Sequence, residues 1–368
     1  MSIILSIPYT RPSITELESS YVADAMLHGW GARCYEYIDR FESDFKSYIG
    51  TDYALATSSA TGALWLGYAA LGISKGDEVI MADINWIATA APLIHMGAEV
   101  VLVDIDPVSW CISPTAIESA ITKNTKAIVV THLYGNLADM TSILEIGKRY
   151  QIPVIEDAAE ALGSKYQGRR TGSMGQFGAF SFHGTKTMTT GEGGMLVTND
   201  KVLYEKASTL ANHGRSAKET RQFWPSVAGY KFKMSNIQAA LGCAQLERIQ
   251  ELVDRKRQIF HTYQEMLTGT VGISMNPESH GDYNSYWMPT LVFGSDSKLS
   301  RDKVMANLLA EGVQARTFFW PLSQLSFIDS GSENPISKLS SERGLNLPSF
   351  QDITLSEQQE IVNIIVGK

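Results

Sequence analysis

Residues 127–160 read AIVVTHLYGNLADMTSILEIGKRYQIPVIEDAAE. Two short apolar, β-rich runs, Ala127-Ile128-Val129-Val130 and Pro153-Val154-Ile155, bracket a helical segment, Met140–Tyr150. Working toward the N-terminus, Glu99-Val100-Val101-Leu102-Val103 and Glu78-Val79-Ile80-Met81 repeat the strand pattern. Before them, Thr61–Gly72 carries Leu64, Gly67, Tyr68 and Leu71 at i, i+3, i+4, i+7, the spacing of one helix face. Strands alternating with helices imply βαβ units and a mostly parallel sheet. Such a sheet places ligands beyond the carboxyl ends of its strands.

After about residue 200 the pattern changes. Ser235–Leu267 reads as one long helix that Gly269 ends, with Ile237, Leu241, Leu246, Ile249 and Val253 on it. Strand-like Tyr286–Phe293, a helix near Arg301–Glu311, strand-like Val313–Phe318 and a last helix, Ser356–Ile365, follow. The expectation is an α/β chain of two domains. The larger, 1–245, includes the N-terminal segment, and the smaller, 246–368, is C-terminal. Ser326–Ser341, rich in Ser, Gly and Asn, reads as a mobile loop.

The composition fits an ordinary folded protein, with 44% apolar and 19% charged residues. A net charge of −8 argues against a nucleic-acid binder, which needs a basic excess to track phosphates. Cys34, Cys111 and Cys243 are scattered and odd in number, which points to free thiols in a reducing cytoplasm rather than disulfides or zinc. No signal peptide is read at the start, and no run approaches the roughly 18 apolar residues of a membrane span. No His pair has metal-ligand spacing, so no metal is expected. G-x-S-x-G, the Walker motif and G-x-G-x-x-G are all missing, which disfavours an acyl hydrolase, a P-loop enzyme and a nucleotide-sugar oxidoreductase.

Several stretches could carry chemistry. Val154–Glu160 ends an apolar strand with three acids. Read alone, these are solvated carboxylates at a strand end. Read by position, an acid there faces the ligand crevice and can pair with a cationic ring nitrogen. Phe180–Lys186 is a strand leading to a turn with a lysine, ordinarily a solvated charge. Thr189-Thr190-Gly191-Glu192-Gly193-Gly194 follows it, and that glycine density lets the backbone approach something closely. A lysine held there in a desolvated place could act as an amine nucleophile. Ser58-Ser59-Ala60-Thr61 opens a helix and offers an anion site, or an ordinary N-cap. Trp86 follows a strand end, as core or as a stacking partner for a flat ring.

Together these motifs resemble the DegT/StrS family of pyridoxal-phosphate-dependent sugar aminotransferases. The resemblance runs over nearly the whole chain. It includes LGISKGDEVI (71–80), GAEVVLVDID (97–106), TKAIVVTHLYGNLADM (125–140), VIEDAAEALGSKYQGRRTGSMGQFGAFSF (154–182), GTKTMTTGEGGMLVTND (184–200), GYKFKMSNIQAALGCAQLERI (229–249) and GLNLPSF (344–350). Within the family, TKTMTTGEGGM, the W-P-x-x-x-G-Y stretch and NLPSF look most like the GDP-perosamine synthase branch. The resemblance implies an aspartate-aminotransferase-like fold (PLP fold type I), with a large, mainly parallel mixed sheet and a smaller α/β domain. It implies pyridoxal 5'-phosphate held as a Schiff base on Lys186. Asp157 would be the partner of the pyridine nitrogen, Glu160 would lie beside the ring, and Trp86 would stack on it. Ser59, Ala60, Thr61 and Ser181 would contact the phosphate. Relatives with His at the lysine position dehydrate instead of aminating, and this chain keeps Lys.

Two departures stand out. Ser58-Ser59-Ala60-Thr61 replaces the usual S-N/G-G-T, and Gly229-Tyr230-Lys231-Phe232-Lys233-Met234 replaces G-Y-N-Y-R-M. The family's Asn reaches the phosphate of the neighbouring subunit's cofactor, so Lys231 implies a homodimer with shared sites, or else a role toward substrate. The residues expected to face the sugar are His183, His213, Arg215 and Arg316, within His183–Lys186, Asn212–Arg215 and Val313–Leu322. The implied reaction moves an amino group from glutamate to a keto-sugar of the GDP-4-keto-6-deoxymannose type, for surface polysaccharide. The perosamine branch tends to read V-F-Y-P where this chain has Thr317-Phe318-Phe319-Trp320-Pro321. The positive charges of Arg215, Lys231 and Arg316 suit a diphosphate or a sugar-acid carboxylate, which keeps a nucleotide-free 8-keto-3-deoxy-octulosonate open. A non-catalytic regulator of the same fold is the reading of another class, and the retained lysine and aspartate speak against it.

Overall fold

The computed structural model describes residues 7–328, 331 and 333–368. Among the described residues, nine strands lie in the first two hundred positions. In chain order they are β1 (Tyr53–Thr57), β2 (Glu78–Ala82), β3 (Glu99–Val103), β4 (Thr125–Thr131), β5 (Val154–Asp157), β6 (Lys165–Tyr166), β7 (Arg169–Arg170), β8 (Phe177–Ser181) and β9 (Gly194–Thr198). The rest are β10 (Ile273–Met275), β11 (Thr290–Phe293), β12 (Arg316–Thr317) and β13 (Gly344–Asn346). Seven of them form one sheet in the order β1-β9-β8-β5-β4-β2-β3. The pairs β3/β2, β2/β4, β4/β5 and β5/β8 are parallel, and β9 alone runs against its neighbours β8 and β1. The sheet is therefore mixed and mainly parallel. A second, antiparallel sheet has the order β10-β11-β13-β12, and β6 and β7 form a short ribbon.

Both faces of the large sheet are buried, which explains why its strands read as near-continuous apolar runs. Successive residues alternate between two cores. Ile80, Ala82, Ile128, Val130 and Val154 belong to one, and Val79, Met81, Ala127, Val129 and Ile155 to the other. The second core is closed by helices Ala60–Leu71, Ile87–Met96 and Lys201–Ala211. Helix Ala60–Leu71 lies so close to the sheet that a Cβ at Gly67 would come within 2.2 Å of the Phe177 ring. The expected Thr61–Gly72 and Met140–Tyr150 helices are found at Ala60–Leu71 and Met140–Tyr150. Ser59 and Asp139 cap their N-termini, and Gly72 ends the first in the left-handed conformation.

Four expectations need correction. The long helix 235–267 is two helices, Asn236–Glu247 and Ile249–Met266, with a break at Arg248 (φ −97°, ψ 4°). Its guanidinium is held by Glu18 at 2.8 Å and by Ser13 and Glu251 at 2.9 and 2.7 Å. The first helix packs on the helices Glu16–His28 and Glu36–Ile49, whereas Ile259 and Tyr263 of the second join the core of the small sheet. One straight helix cannot serve both. The strand expected over 286–293 starts only at Thr290, because Tyr286 is left-handed (φ 48°) and its N–H donates to Asn284 Oδ1 at 2.7 Å. The strand expected over 313–318 is reduced to Arg316–Thr317, since Val313 bridges to Ile7 instead. The loop expected over 326–341 contains a helix, Pro335–Arg343, while Asp329, Ser330 and Ser332 lie outside the described residues.

Candidate active site

A cavity of about 790 Å³ opens beyond the carboxyl ends of β4, β5 and β8. Ser59, Ala60, Thr61, Trp86, Asp157, Glu160, Ser181, His183, Lys186 and Arg316 line it. The sheet's topology brings them together, because β1, β2, β5 and β8 each deliver a loop to the same edge.

Strand alternation separates the acids of Val154–Glu160. Glu156 points away from the cavity and is fully buried. It accepts the N–H groups of Gly172, Met174 and Gly175 at 2.6–2.8 Å and lies 3.0 Å from His132 Nε2. This carboxylate ties the following turn to the strand. Asp157, the next residue, faces the cavity. Its Oδ2 accepts the Thr89 hydroxyl at 2.6 Å and its Oδ1 the Ala159 N–H at 3.1 Å. Burial pushes its carboxyl above the usual range, while Thr89, Ala159 and the charge of Lys186 pull it back.

Glu160 is equally buried and accepts the Tyr134 N–H at 3.0 Å. Burial also raises its carboxyl, and the neighbouring Lys186 charge opposes this. Lys186 Nζ lies 3.3 Å from Glu160 Oε1 and 3.7 Å from the centre of the Trp287 ring. The Trp287 indole N–H donates to Thr185 O at 2.9 Å, which fixes the ring against the lysine turn. His183 stands at the same turn, half exposed, with Nδ1 3.0 Å from the Thr185 hydroxyl.

The opposite rim is a helix N-terminus. The first N–H groups of a helix have no intrahelical acceptor, and those of Ala60 and Thr61 open on the cavity. Gly194 of β9 makes this approach possible, since a Cβ there would lie 2.4 Å from the Ser59 carbonyl carbon. Trp86 stands beside the cavity with 59% of its surface exposed, its ring 6.0 Å from that of Phe319.

Pyridoxal phosphate asks for an amine that can reach an aldehyde, an acid for a cationic ring nitrogen, a flat surface for the ring and an anion cradle. Lys186, Asp157, Trp86 and the Ser59–Thr61 helix start offer these within one cavity, so the residues present fit the group.

Lys231, His213 and Arg215 are not in this cavity. Lys231 bridges to Asn212, the His213 N–H donates to Tyr230 O at 2.8 Å, and Arg215 lines a separate hollow with Glu42 and Lys233. Other residues of the site were not singled out from the sequence. Thr89 stands one helical turn beyond Trp86 and Tyr134 in the turn after β4, where a polar or aromatic group beside a strand end was the available signal. Trp287 and Tyr9 reach the cavity from distant parts of the chain and carry no local signal, and Asn346 reaches it from the NLPSF motif, to which no site role was given.

Comparison with known proteins identifies the family. Residues 12–366 match the DegT/DnrJ/EryC1/StrS aminotransferase family. The chain is 38% identical over 356 residues to GDP-perosamine synthase of Escherichia coli O157:H7, covering 96% of each chain. It is 34% identical to that of Vibrio cholerae, covering 98% of each. Among solved structures it is similar to the aminotransferase TlmJ from Streptoalloteichus hindustanus, with a TM-score of 0.92, 28% identity and 98% of each chain covered. It is also similar to an aminotransferase from Psychrobacter cryohalolentis, with a TM-score of 0.89, 30% identity and 98% of each chain covered. This chain belongs to the DegT/DnrJ/EryC1/StrS family and is one of its pyridoxal-phosphate-dependent sugar aminotransferases.

Proposed function

We propose that the enzyme moves an amino group from glutamate to the keto carbon of a nucleotide-linked 4-keto-6-deoxy sugar, of the GDP-4-keto-6-deoxymannose type, for surface polysaccharide. The observation that carries this is the part-buried Lys186–Glu160 contact in a cavity lined also by Asp157 and Arg316, in a chain similar to GDP-perosamine synthases. Bound there, the cofactor supplies a reactive aldehyde and an electron-accepting ring. The protein's part is binding, orientation and proton movement. Asp157, held by Thr89, would pair with the ring nitrogen and keep its positive charge. Trp86 would cover the ring, and Ser59, Ala60, Thr61 and Ser181 would receive the phosphate. Lys186 Nζ, once free, takes the proton from the donor carbon and returns it during amination of the keto carbon. Glu160 and Trp287 hold that nitrogen in place meanwhile.

Lys231, with His213 and Arg215 beside it, lies outside its own chain's cavity, as residues serving the site of a second copy must. A homodimer with shared sites is therefore part of the proposal. So is a cytoplasmic location, which the free buried thiols of Cys111 and Cys243 favour.

Arg316 favours a second reading as well, because a guanidinium suits a sugar-acid carboxylate as well as a diphosphate. A substrate panel tests both. Glutamate should bleach the visible absorption of the lysine-bound cofactor, and the right keto-sugar should restore it. Restoration is expected with the GDP-linked 4-keto sugar. Restoration only with the free acid sugar would sink the GDP-sugar reading and leave the amino transfer standing.

A further inference from the structure

Past the ends of β2 and β3 stand two aspartates that the proposed chemistry does not use. The two strands are parallel neighbours with Ala82 opposite Val103, so Asp83 and Asp104 emerge side by side. Neither lines the cavity. Both reach instead for the segment that follows β12.

Asp83 is 1% exposed. Its Oδ1 accepts the Ser323 N–H at 2.8 Å, and its Oδ2 accepts the Ser323 hydroxyl at 2.7 Å and the Asn334 amide at 3.0 Å. The backbone joins in: Leu322 N–H donates to Asp83 O at 2.8 Å, and Ile84 bridges to Pro321. Asp104 takes the start of helix Pro335–Arg343. Its Oδ1 accepts the N–H and the hydroxyl of Ser337 at 2.8 and 2.7 Å, and its Oδ2 accepts the Ile336 N–H at 3.0 Å. The helix has no side-chain cap from its own N-cap residue, because the Asn334 amide is turned to Asp83. A carboxylate from another element thus supplies the cap, where the helix dipole favours a negative charge.

Between and just before these anchor points lie Phe319, Trp320, Leu322, Leu325 and Phe327, which form one wall of the cavity. Trp320 and Phe327 are 51% and 62% exposed. Asp83 also stands three residues before Trp86, whose ring faces Phe319. One buried carboxylate therefore fixes the distance between the residue proposed to cover the cofactor ring and the wall opposite it.

We infer that Asp83 is a positioning residue: it latches the 319–327 wall to the sheet edge and so sets the enzyme's grip on the keto-sugar acceptor while leaving the amino donor alone, with Asp104 anchoring the helix that follows. This rests on the proposed function, since its two half-reactions present the wall with substrates of different size. Glutamate is small and needs the Lys186 end of the cavity, whereas a nucleotide-linked sugar must extend along the wall.

The test uses holoenzyme of Asp83→Ala, with Ser323→Ala as a milder break that keeps the carboxylate. The half-reactions are followed separately through the visible absorption of the cofactor, and amide hydrogen exchange is read at Leu322, Ser323 and Leu325. Losing a hydrogen bond to a buried charge predicts a KM for the keto-sugar raised on the order of tenfold. The glutamate half-reaction should stay within about twofold, and exchange at the three amides should speed up. A merely structural role would depress both half-reactions together. That result, or unchanged exchange in both variants, overturns the inference. If the wild-type enzyme accepts no keto-sugar, the proposed function fails first, and exchange at the three amides, with quenching of Trp320 fluorescence, still decides the latch.

Discussion

The floor and the wall of the cavity are built on opposite plans. The floor consists of groups at strand ends, all buried and each tied to a neighbouring element. Asn85 donates to Thr131 at 2.8 Å, Thr89 donates to Asp157 at 2.6 Å, and Tyr134 N–H donates to Glu160 at 3.0 Å. The wall, 319–327, presents exposed aromatic rings and is held from behind by Asp83, which does not line the cavity. A floor of this kind keeps charged groups where charge must be handled, with little reorganisation when chemistry occurs. A wall of this kind can change its side chains without disturbing the sheet, which is where selectivity is expected to reside. Floor substitutions should therefore damage both half-reactions, and wall substitutions only the sugar half.

The largest effect should come from Lys186→Ala. It removes the amine that holds the cofactor and moves the proton, and should lower turnover by about 10⁴-fold or more and abolish the visible band. A variant that kept the band would remove Lys186 from the centre of the site. Asp157→Asn keeps the shape of the floor but not its charge. It should cost about 10²- to 10³-fold in kcat in both half-reactions, measured by single-turnover absorption. A loss confined to the sugar half would erase the contrast between floor and wall.

Thr89→Val deletes one charge-assisted hydrogen bond to Asp157 and keeps the volume of the side chain. About a tenfold loss in both half-reactions is expected, and a negligible change would show that Ala159 alone orients the carboxylate. Trp320→Ala belongs to the wall. It should raise KM for the sugar about fivefold through lost ring contact, with glutamate kinetics unaltered; an equal effect on glutamate would make the wall part of the floor.

A last effect, on stability rather than on turnover, concerns a residue behind both regions. Lys256 is 2% exposed, and its ammonium meets the carbonyl and hydroxyl of Ser349, whose hydroxyl donates to Trp287 O at 3.3 Å. Burial pushes this lysine from 10.5 down to about 7. Between those values the unfolded chain holds a proton that the folded one has shed, so stability rises with pH. Relative to Lys256→Met, the wild type should gain up to about 1.4 kcal/mol per pH unit from pH 7 upward. Parallel stability–pH curves for the two proteins would mean that the lysine stays charged when folded.

Much of this was legible in the chain. Strand and helix periods placed the sheet, and Met140–Tyr150 matched the structure to the residue because Asp139 caps it and the apolar period stops there. An acid after an apolar strand and a lysine before a glycine cluster marked the cavity's two poles, since both signals lie within a few residues. The misses share one cause. Arg248 breaks a helix because Glu18 pulls on it, and Tyr286 leaves a strand because its ring stacks on Phe260 with centroids 3.6 Å apart. Pro335–Arg343 is helical in a stretch of loop-like composition because Asp104, more than two hundred residues earlier, supplies its cap.

Periodicity and turn chemistry are local properties, and they determined the α/β class and the parallel strands and marked a lysine and three acids as candidates, whose roles the family resemblance then implied. Which acid faces the cavity, which ring lies on Lys186, what holds the wall and where Lys231 points were decided only in three dimensions. Each of these depends on a buried polar or charged group finding its partner, and in this fold that partner comes from a distant part of the chain.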